Sequence, residues 1–400
     1  MSTYIIDAIR TPIGNFGGTL KDIRTDDLGA IPIKEIIART GIDTSKIDDV
    51  IIGCANQAGE DNRNVARMSL LLAGIPFTVP GETVNRLCAS GMSAVIHAHR
   101  AISARDGDLF ISGGVENMTR GPWVISKASK AFGRDAQMHD TSFGWRFINP
   151  KMKELYGVDG MGNTAENLAE KYNISREDQD KFAYNSQIKA TNAQCSGRLA
   201  EEIVSVEIPQ RKKDPIIFNH DEFIKGNTSL EVLSKLRTAF KKDGGTVTAG
   251  NSSGLNDGAA AMLLASDKGV KENNLTPMAK IVSSAVVGVE PKIMGIGPVE
   301  ASNKALMKAG LDMQDIDIIE LNEAFSAQAL ACIRAWGLQD DDPRVNPNGG
   351  AIAIGHPLGV SGTRILQTAA IELKKQNKKY ALVTMCIGVG QGYATIIEKV

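Results

Sequence analysis

Cys88 has the sequence surroundings of a nucleophile. It lies in the stretch NRLCASGM, directly after the short run 81–84 and before apolar residues with the spacing of one helix face, Met92, Val95 and Ile96. The unpaired backbone N–H groups at a helix start favour negative charge. This position therefore predicts a thiol of lowered pKa, whose thiolate attacks an electrophile. The alternative is a buried cysteine that acts as a small apolar residue.

His356 is the residue best suited to accept a proton from such a thiol. It lies in the stretch GHPLGVSG, where Pro357 biases it away from helical geometry and glycines on both sides permit close backbone approach. A histidine presented on a rigid loop at a helix start can act as a general base. The alternative is a histidine that only hydrogen-bonds to loop carbonyl groups.

A second thiol, Cys386, ends an apolar run and precedes the glycine-rich sequence IGVGQG. The glycines predict a hairpin-like return, since an apolar run follows them and no helix does. Cys386 could act as a second acid or base, and the N–H group of Gly388 could face a developing oxyanion.

Two polar stretches are more ambiguous. Asn322, in ELNEAF, precedes a helix predicted over 323–336, so it could cap that helix or orient a water or a substrate carbonyl group. The loop 248–258, which contains Ser253, could lie along an extended polar ligand or could be only a turn.

An internal repeat indicates how the fold positions these residues. Segments 36–52 and 305–321 each contain a helix, a glycine turn and a buried strand, and an isoleucine follows the glycine by six residues in both. The repeat predicts two related α/β halves. A further buried strand over 107–116 is expected to break at its glycine pair, Gly113 and Gly114.

Between residues 120 and 245 the alternation of strands and helices fades. Two helices stand out, over 164–172 and 176–197, the second with Ser175 as its N-cap. We predict an N-terminal half over 1–119 plus 246–272, an inserted loop domain over 120–245, and a C-terminal half over 273–400.

The bulk composition excludes several classes of function. The chain has 400 residues, 42% of them hydrophobic, and a net charge of −1, so nothing attracts nucleic acid or an anionic membrane. No run is long and apolar enough to span a membrane, and the N-terminus lacks the pattern of a signal peptide. Five widely spaced cysteines without a CxxC pair indicate neither zinc nor a disulfide framework. A cytoplasmic protein without a metal is expected.

The motifs NRLCASGM, NEAF, GHPLGVSG and CIGVGQG, in this order across two related halves, resemble those of the thiolases. The resemblance spans nearly the whole chain. It implies the five-layered α/β/α/β/α thiolase fold with an inserted loop domain, and commonly a homotetramer built as a dimer of dimers. It also implies CoA and a 3-ketoacyl-CoA as substrates, with no resident cofactor.

Carried over residue by residue, the resemblance gives each site residue a role. Cys88 matches the acylated nucleophile, His356 its activator and Cys386 the thiol that moves a proton at carbon. Asn322, through a water, and His356 would form one oxyanion hole, and the N–H groups of Cys88 and Gly388 the other. Three further residues match substrate-binding positions: Ser253 at the pantetheine, and Met161 and Phe325 in the pocket lining.

Stretches 53–67, 144–150, 156–159 and 294–298 resemble the branch of the family that cleaves 3-oxoadipyl-CoA in aromatic catabolism, by the β-ketoadipate pathway. Gly160 replaces a histidine found in many acetoacetyl-CoA thiolases. A dicarboxylic acyl group needs a cation, and Arg146 and Arg134 are the candidates.

Three alternatives to this specificity exist, and the first of them belongs to the same enzyme class. A general 3-ketoacyl-CoA or acetoacetyl-CoA thiolase stays open. A catalytically silent acyl carrier is disfavoured by the intact set of Cys88, His356, Cys386 and Asn322. A decarboxylating ketosynthase is disfavoured because that branch would be expected to use histidine chemistry where Asn322 and Cys386 stand.

Overall fold

The computed structural model describes residues 2–400. Within them the chain forms fourteen strands. Their bounds are β1 Thr3–Arg10, β2 Gly14–Asn15, β3 Asp49–Gly53, β4 Gly81–Val84, β5 Leu109–Asn117, β6 Trp123–Ile125, β7 Met138–Asp140, β8 Val206–Gln210, β9 Lys213–Phe218, β10 Asn256–Ser266, β11 Ala279–Gly288, β12 Ile318–Leu321, β13 Tyr380–Ile387 and β14 Gln391–Lys399.

The same residues form twelve α-helices. Their bounds are α1 Thr25–Thr40, α2 Val65–Leu72, α3 Ser90–Ala104, α4 Pro150–Tyr156, α5 Met161–Lys171, α6 Arg176–Cys195, α7 Leu230–Ser234, α8 Asp267–Glu272, α9 Gly297–Ala309, α10 Ser326–Ala335, α11 Ala351–Ile354 and α12 Leu358–Lys375. Among residues 2–400, no helix combines the length and apolar composition needed to cross a membrane.

The sheet confirms the predicted repeat. Ten strands form one sheet, whose main path runs β12-β13-β14-β11-β1-β10-β5-β3-β4. On either side of the β1–β11 contact, the pairing repeats: β3 is parallel to β5 and β12 is parallel to β13, while β5–β10 and β13–β14 are antiparallel. Even the outer pair has a counterpart, because the parallel β3–β4 pairing corresponds to a parallel bridge from Ile319 to Val345.

Successive side chains of the strands enter different apolar clusters, which gives the five layers. In β5, Ile111 packs with α1 and α2, while Phe110 packs with α3 and α12. In β13, Val383 packs with α3 and α12, while Leu382 packs with α9 and α10. Helices α3 and α12 therefore form the central layer between the two halves of the sheet, as the five-layered fold requires.

Strand β5 does not break at its glycine pair, and that prediction was wrong. A Cβ on Gly113 would lie 2.0 Å from the Ala260 carbonyl oxygen, and one on Gly114 would lie 1.9 Å from that of Gly359. The glycines therefore serve close packing of β5 against β10 and against the start of α12. This contact brings the His356 loop onto the N-terminal half.

The chain from 118 to 255 lies between β5 and β10 and carries two small hairpins, β6–β7 and β8–β9. Helix α6 begins where the sequence indicates, since Ser175 accepts a hydrogen bond from the Asp178 N–H group at 3.0 Å. Such a cap is worth about 1 kcal/mol. Helix α5 begins at Met161, three residues before its predicted start. The predicted domain boundaries at 119, 245 and 272 stay a prediction.

Candidate active site

Cys88 lies in a tight turn over residues 85–89, between β4 and α3, which we call the nucleophile turn. Leu87 has a left-handed backbone (φ 48°), uncommon for a residue with a side chain. The Ser90 hydroxyl group closes the turn by donating to the Leu87 carbonyl at 2.7 Å. Cys88 keeps partial access to solvent, just ahead of the first turn of α3.

The prediction of a lowered thiol pKa was wrong. Burial of the sulfur raises the pKa of Cys88 to about 11, and the nearby Glu116 carboxylate adds to the rise. The Gly388 N–H group, which donates to the thiol, opposes this but does not outweigh desolvation. Cys88 is therefore a protonated thiol at neutral pH, and its activation needs a base.

His356 is held at three points in a buried loop. Its N–H group donates to Asn256 Oδ1 at 2.9 Å, its Nδ1 lies 2.6 Å from Ser361 Oγ, and its Nε2 lies 3.4 Å from the Asn322 amide nitrogen. The Ser361 hydroxyl group donates its one proton to the Pro357 carbonyl at 2.9 Å. In this network Nδ1–H therefore donates to Ser361, and Nε2 is the free basic nitrogen.

The imidazole is neutral across the physiological range. Burial lowers the pKa of His356 to about 3, and the positive charge of Arg364 contributes in the same direction. Neutral imidazole is the form that can accept a proton, but so low a pKa makes it a weak base in the resting site.

Asn322 does not cap the following helix. Helix α10 begins at Ser326, not at 323 as predicted, and the residue before it is Phe325. The Asn322 side chain instead lies fully buried beside His356, and its Oδ1 atom has no hydrogen-bond partner among the described residues. A buried amide with an unused acceptor can hold a polar ligand or a water.

Cys386 and Gly388 lie where β13 turns into β14, as predicted. Cys386 is fully buried, and burial together with the proximity of Cys88 raises its thiol pKa well above the usual range. Gly388 contacts the nucleophile turn, because a Cβ there would lie 3.2 Å from Leu87 Cδ1 and 3.7 Å from Met161 Sδ.

Two cavities meet at Cys88. The larger, of about 400 Å³, is lined by six predicted site residues, namely Cys88, His356, Cys386, Met161, Ser253 and Phe325. The smaller, of about 210 Å³, is lined by Cys88, Met161 and Gly388 and also by Arg146. Asn322 joins the site through its contact with His356. All eight predicted site residues therefore converge.

Local contacts fix the three residues that the resemblance assigns to substrate binding. Ser253 donates both its N–H group and its hydroxyl group to the Ala324 carbonyl, each at 3.0 Å. Phe325 packs edge-on against Phe240, with ring centroids 6.2 Å apart. Met161, the first residue of α5, reaches both cavities.

Sequence reasoning missed Glu116, which is buried in β5 and lines the smaller cavity. Its carboxylate accepts backbone N–H groups of Ala55, Asn56 and Gly359 at 2.9, 3.0 and 2.8 Å. Burial raises the pKa of Glu116 to about 7. It thus ties the loop after β3 to the start of α12, a role that no sequence motif indicated.

One group of potential metal ligands lies nearby. Cys54, Asp61 and Glu116 offer ligand atoms within 4.8 Å of one another. Asp61 already accepts from the Gly59 N–H group at 2.8 Å and from the Cys54 thiol at 3.7 Å. Hydrogen bonds within the protein therefore account for these carboxylates.

The two cavities that meet at Cys88 are bordered by two thiols, a neutral imidazole and a backbone N–H group, and a buried amide contacts the imidazole. This combination suits covalent acyl transfer at a carbonyl carbon, with a thiol nucleophile and separate groups for proton transfer. The molecule therefore has the site of an acyltransferase.

Family comparison gives the class of enzyme. The model "Thiolase, N-terminal domain" matches residues 3–268, and "Thiolase, C-terminal domain" matches 275–399. The chain is 57% identical to the beta-ketoadipyl-CoA thiolase of Acinetobacter baylyi and 56% identical to the 3-oxoadipyl-CoA/3-oxo-5,6-dehydrosuberyl-CoA thiolase of Escherichia coli. Each comparison spans 398 residues, 99% of both chains.

The fold agrees. The crystal structure of human mitochondrial 3-ketoacyl-CoA thiolase superposes with a TM-score of 0.92 at 39% identity, covering 100% of this chain and 98% of that one. The chain belongs to the thiolase family.

Proposed function

We propose that this thiolase cleaves 3-oxoadipyl-CoA with CoA to give succinyl-CoA and acetyl-CoA, in the β-ketoadipate route of aromatic catabolism. The observation that carries the proposal is Arg146, a cation that lines the smaller cavity beside Cys88. Among residues 2–400, no carboxylate lies within ion-pair distance of Arg146, and its Nη2 donates only to Asn56 Oδ1 at 3.3 Å. Its charge is therefore available to the distal carboxylate of a dicarboxylic acyl group.

The names of the two relatives support this substrate, since both refer to the same acyl group. Arg134, the other candidate from the sequence, is exposed and is not part of either cavity lining. Arg134→Gln is therefore the control variant for Arg146→Gln.

In the proposed first half-reaction, His356 Nε2 takes the Cys88 proton while the sulfur attacks the 3-keto carbon. The N–H groups of Cys88 and Gly388 stabilise the resulting oxyanion, and each such donor is worth about 3 kcal/mol. The bond between C2 and C3 then breaks and leaves succinyl-Cys88 and the enolate of acetyl-CoA.

Cys386 protonates C2 of that enolate, while Asn322, through a water, and the now protonated His356 stabilise its oxygen. In the second half-reaction CoA gives its thiol proton to the Cys386 thiolate and attacks the acyl-enzyme. Cys88 leaves and recovers its proton from His356, so both thiols and the imidazole return to their resting states. CoA is a co-substrate, and the proposed mechanism uses no metal and no resident cofactor.

The larger cavity, with Ser253, Met161 and Phe325 in its lining, is the proposed entry for the pantetheine arm. Its lining is mainly apolar, with Lys225 as its one charged residue, and suits an uncharged, extended chain.

We further propose a cytoplasmic homotetramer, a dimer of dimers. The β6–β7 hairpin supports association, since Trp123, Ile125 and Met138 are 71%, 69% and 65% exposed and a second chain would cover them. All five cysteines are free, which fits a reducing compartment.

The test compares kcat/KM for thiolysis of 3-oxoadipyl-CoA and acetoacetyl-CoA in the wild type, Arg146→Gln and Arg134→Gln. We expect the wild type to prefer the dicarboxylic substrate by about a hundredfold, equivalent to about 2.7 kcal/mol. Arg146→Gln should lose most of that preference and keep its rate on acetoacetyl-CoA, because acetoacetyl-CoA has no distal carboxylate to contact the guanidinium group. Arg134→Gln should behave as the wild type.

A flat substrate profile in the wild type would replace the proposal with a general 3-ketoacyl-CoA thiolase. A preference that survives in Arg146→Gln would show that another group binds the carboxylate.

A further inference from the structure

Arg86 connects the nucleophile turn with the hairpin that carries Gly388. Its Nε donates to Ser93 Oγ in α3 at 2.9 Å, and its Nη1 donates to Gln391 Oε1 at 3.0 Å. Gln391 is the first residue of β14 and lies 305 positions away in the sequence. One side chain thus spans the two segments whose N–H groups are proposed to form an oxyanion hole.

Both of these segments contain a strained residue. Leu87 (φ 48°) precedes Cys88, and Val389 (φ 63°) follows Gly388. Left-handed geometry is unfavourable for any residue with a side chain and more so for a β-branched one. Such a residue persists only where its surroundings hold it. The spacing of the two turns therefore needs support from outside them.

The Arg86 contacts are placed to give that support. Gln391 is the direct strand partner of Ile387, the residue before Gly388. On the other side, the backbone N–H group of Arg86 donates to Oγ of Ser90, the first residue of α3, at 2.9 Å. The guanidinium group is thus connected to both turns through few bonds, and a shift of this group should move both turns.

We propose that Arg86 is a positioning residue that fixes the separation between the N–H groups of Cys88 and Gly388 through its paired bonds to Ser93 and Gln391. The inference rests on the proposed function, because it assumes that these groups bind an oxyanion. Geometry, not charge, is the essential property: the planar fork reaches two acceptors at once, which a lysine ammonium on a flexible stem does not reproduce. No carboxylate in residues 2–400 forms an ion pair with Arg86.

The experiment follows acetylation of Cys88 by acetyl-CoA in a single turnover, with rapid quenching and mass spectrometry of the intact protein. The variants are Arg86→Lys, Arg86→Met, Gln391→Leu and the double variant Arg86→Met/Gln391→Leu. The matched control is Arg100→Met, which removes an exposed arginine from the neighbouring helix α3. Thermal unfolding of each variant shows which of them fold as the wild type does.

We expect the acetylation rate constant to fall by about tenfold or more in all three single variants, because a displaced donor loses part of the hundredfold or greater effect of a well-placed one. The acetyl-CoA concentration at half-saturation should change by less than about twofold. The double variant should be no slower than Arg86→Met, since both changes break the same link. Arg100→Met should match the wild type.

Three results would overturn the positioning role. Arg86→Lys at the wild-type rate would mean that charge suffices. Gln391→Leu at the wild-type rate, or effects that multiply in the double variant, would mean that the link transmits nothing. Gln391→Leu and Arg86→Lys decide the question even where Arg86→Met fails to fold. A wild type that is never acetylated at Cys88 would instead refute the proposed function itself.

Discussion

Replacing His356 with asparagine should reduce the loss of stability in acid. The imidazole is buried, and its pKa is lowered from 6.5 to about 3, first by desolvation and then by Arg364. In the unfolded chain the same group binds a proton near pH 6.5. As the pH falls below that value, the unfolded state gains a proton that the folded state cannot accept.

The sign and size of the effect follow from this difference. Where the unfolded state binds more protons, the free energy of unfolding rises with pH, so it falls on acidification. Between pH 6.5 and about 4.5 the folded imidazole stays neutral. Each pH unit then costs about 1.4 kcal/mol, and the two units cost about 2.7 kcal/mol in the wild type. Asparagine has no such titration.

The assay is urea unfolding of wild type and His356→Asn from about pH 7.5 to about pH 4.5. Other groups titrate in both proteins, among them His99, whose pKa burial lowers to about 4, and they cancel in the difference. His220→Asn, which removes an exposed imidazole, is the control and should keep the wild-type pH dependence. If the free energy of unfolding changed with pH in the same way in the wild type and in His356→Asn, the inference that the imidazole is buried and neutral would be refuted.

Two further substitutions test the supports of the same loop. Ser361→Ala removes the partner of His356 Nδ1, 2.6 Å away, so kcat should fall by about tenfold or more with KM nearly unchanged, as steady-state kinetics would show. A rate like that of the wild type would mean that the other two contacts of His356 suffice. Gly114→Ala would put a Cβ 1.9 Å from the Gly359 carbonyl oxygen. It should destabilise the fold by about 2 kcal/mol or more in urea unfolding, and an unchanged midpoint would refute the close approach of β5 to α12.

The sequence was sufficient to identify residues whose chemistry is concentrated in short motifs. Cys88, His356 and Cys386 each lie within three residues of a glycine in a short motif, and the structure brings all three to one cavity. The repeat also predicted two related α/β halves, and the matching strand pairings on the two sides of the β1–β11 contact confirm them. Both inferences needed only short sequence patterns.

The pKa of Cys88 could not be predicted in the same way. Cys88 was correctly predicted to precede a helix start. The predicted lowering of its pKa was wrong, because burial outweighs the local N–H donors. Burial depends on what covers the thiol, and here the cover comes from the other end of the chain, including Gly388. Desolvation is a property of the folded site and cannot be deduced from the residues of the motif.

Long-range hydrogen bonds could not be predicted from the sequence for the same reason. Glu116 holds loops that are 61 and 243 residues away from it, and Arg86 reaches Gln391 across 305 residues. An isolated glutamate or arginine in a sequence is most simply interpreted as a solvated side chain. Ser361 is the exception: it lies in the same motif as His356, and in the structure it belongs to the first turn of α12, where its Oγ contacts the imidazole.

Together the pKa shifts explain why so many donors surround one thiol. With Cys88 raised to about 11 and His356 lowered to about 3, the resting site holds neutral groups, and transfer of the thiol proton to the imidazole is unfavourable in the empty cavity. Attack by the Cys88 sulfur must therefore coincide with a compensating gain in free energy. That gain has to come from groups that bind the new oxyanion. Fixed N–H donors supply it without reorganising, which is why their separation matters more than the charge state of any one residue. On this reasoning, substitutions that only shift the two turns should slow acyl transfer while leaving substrate affinity intact.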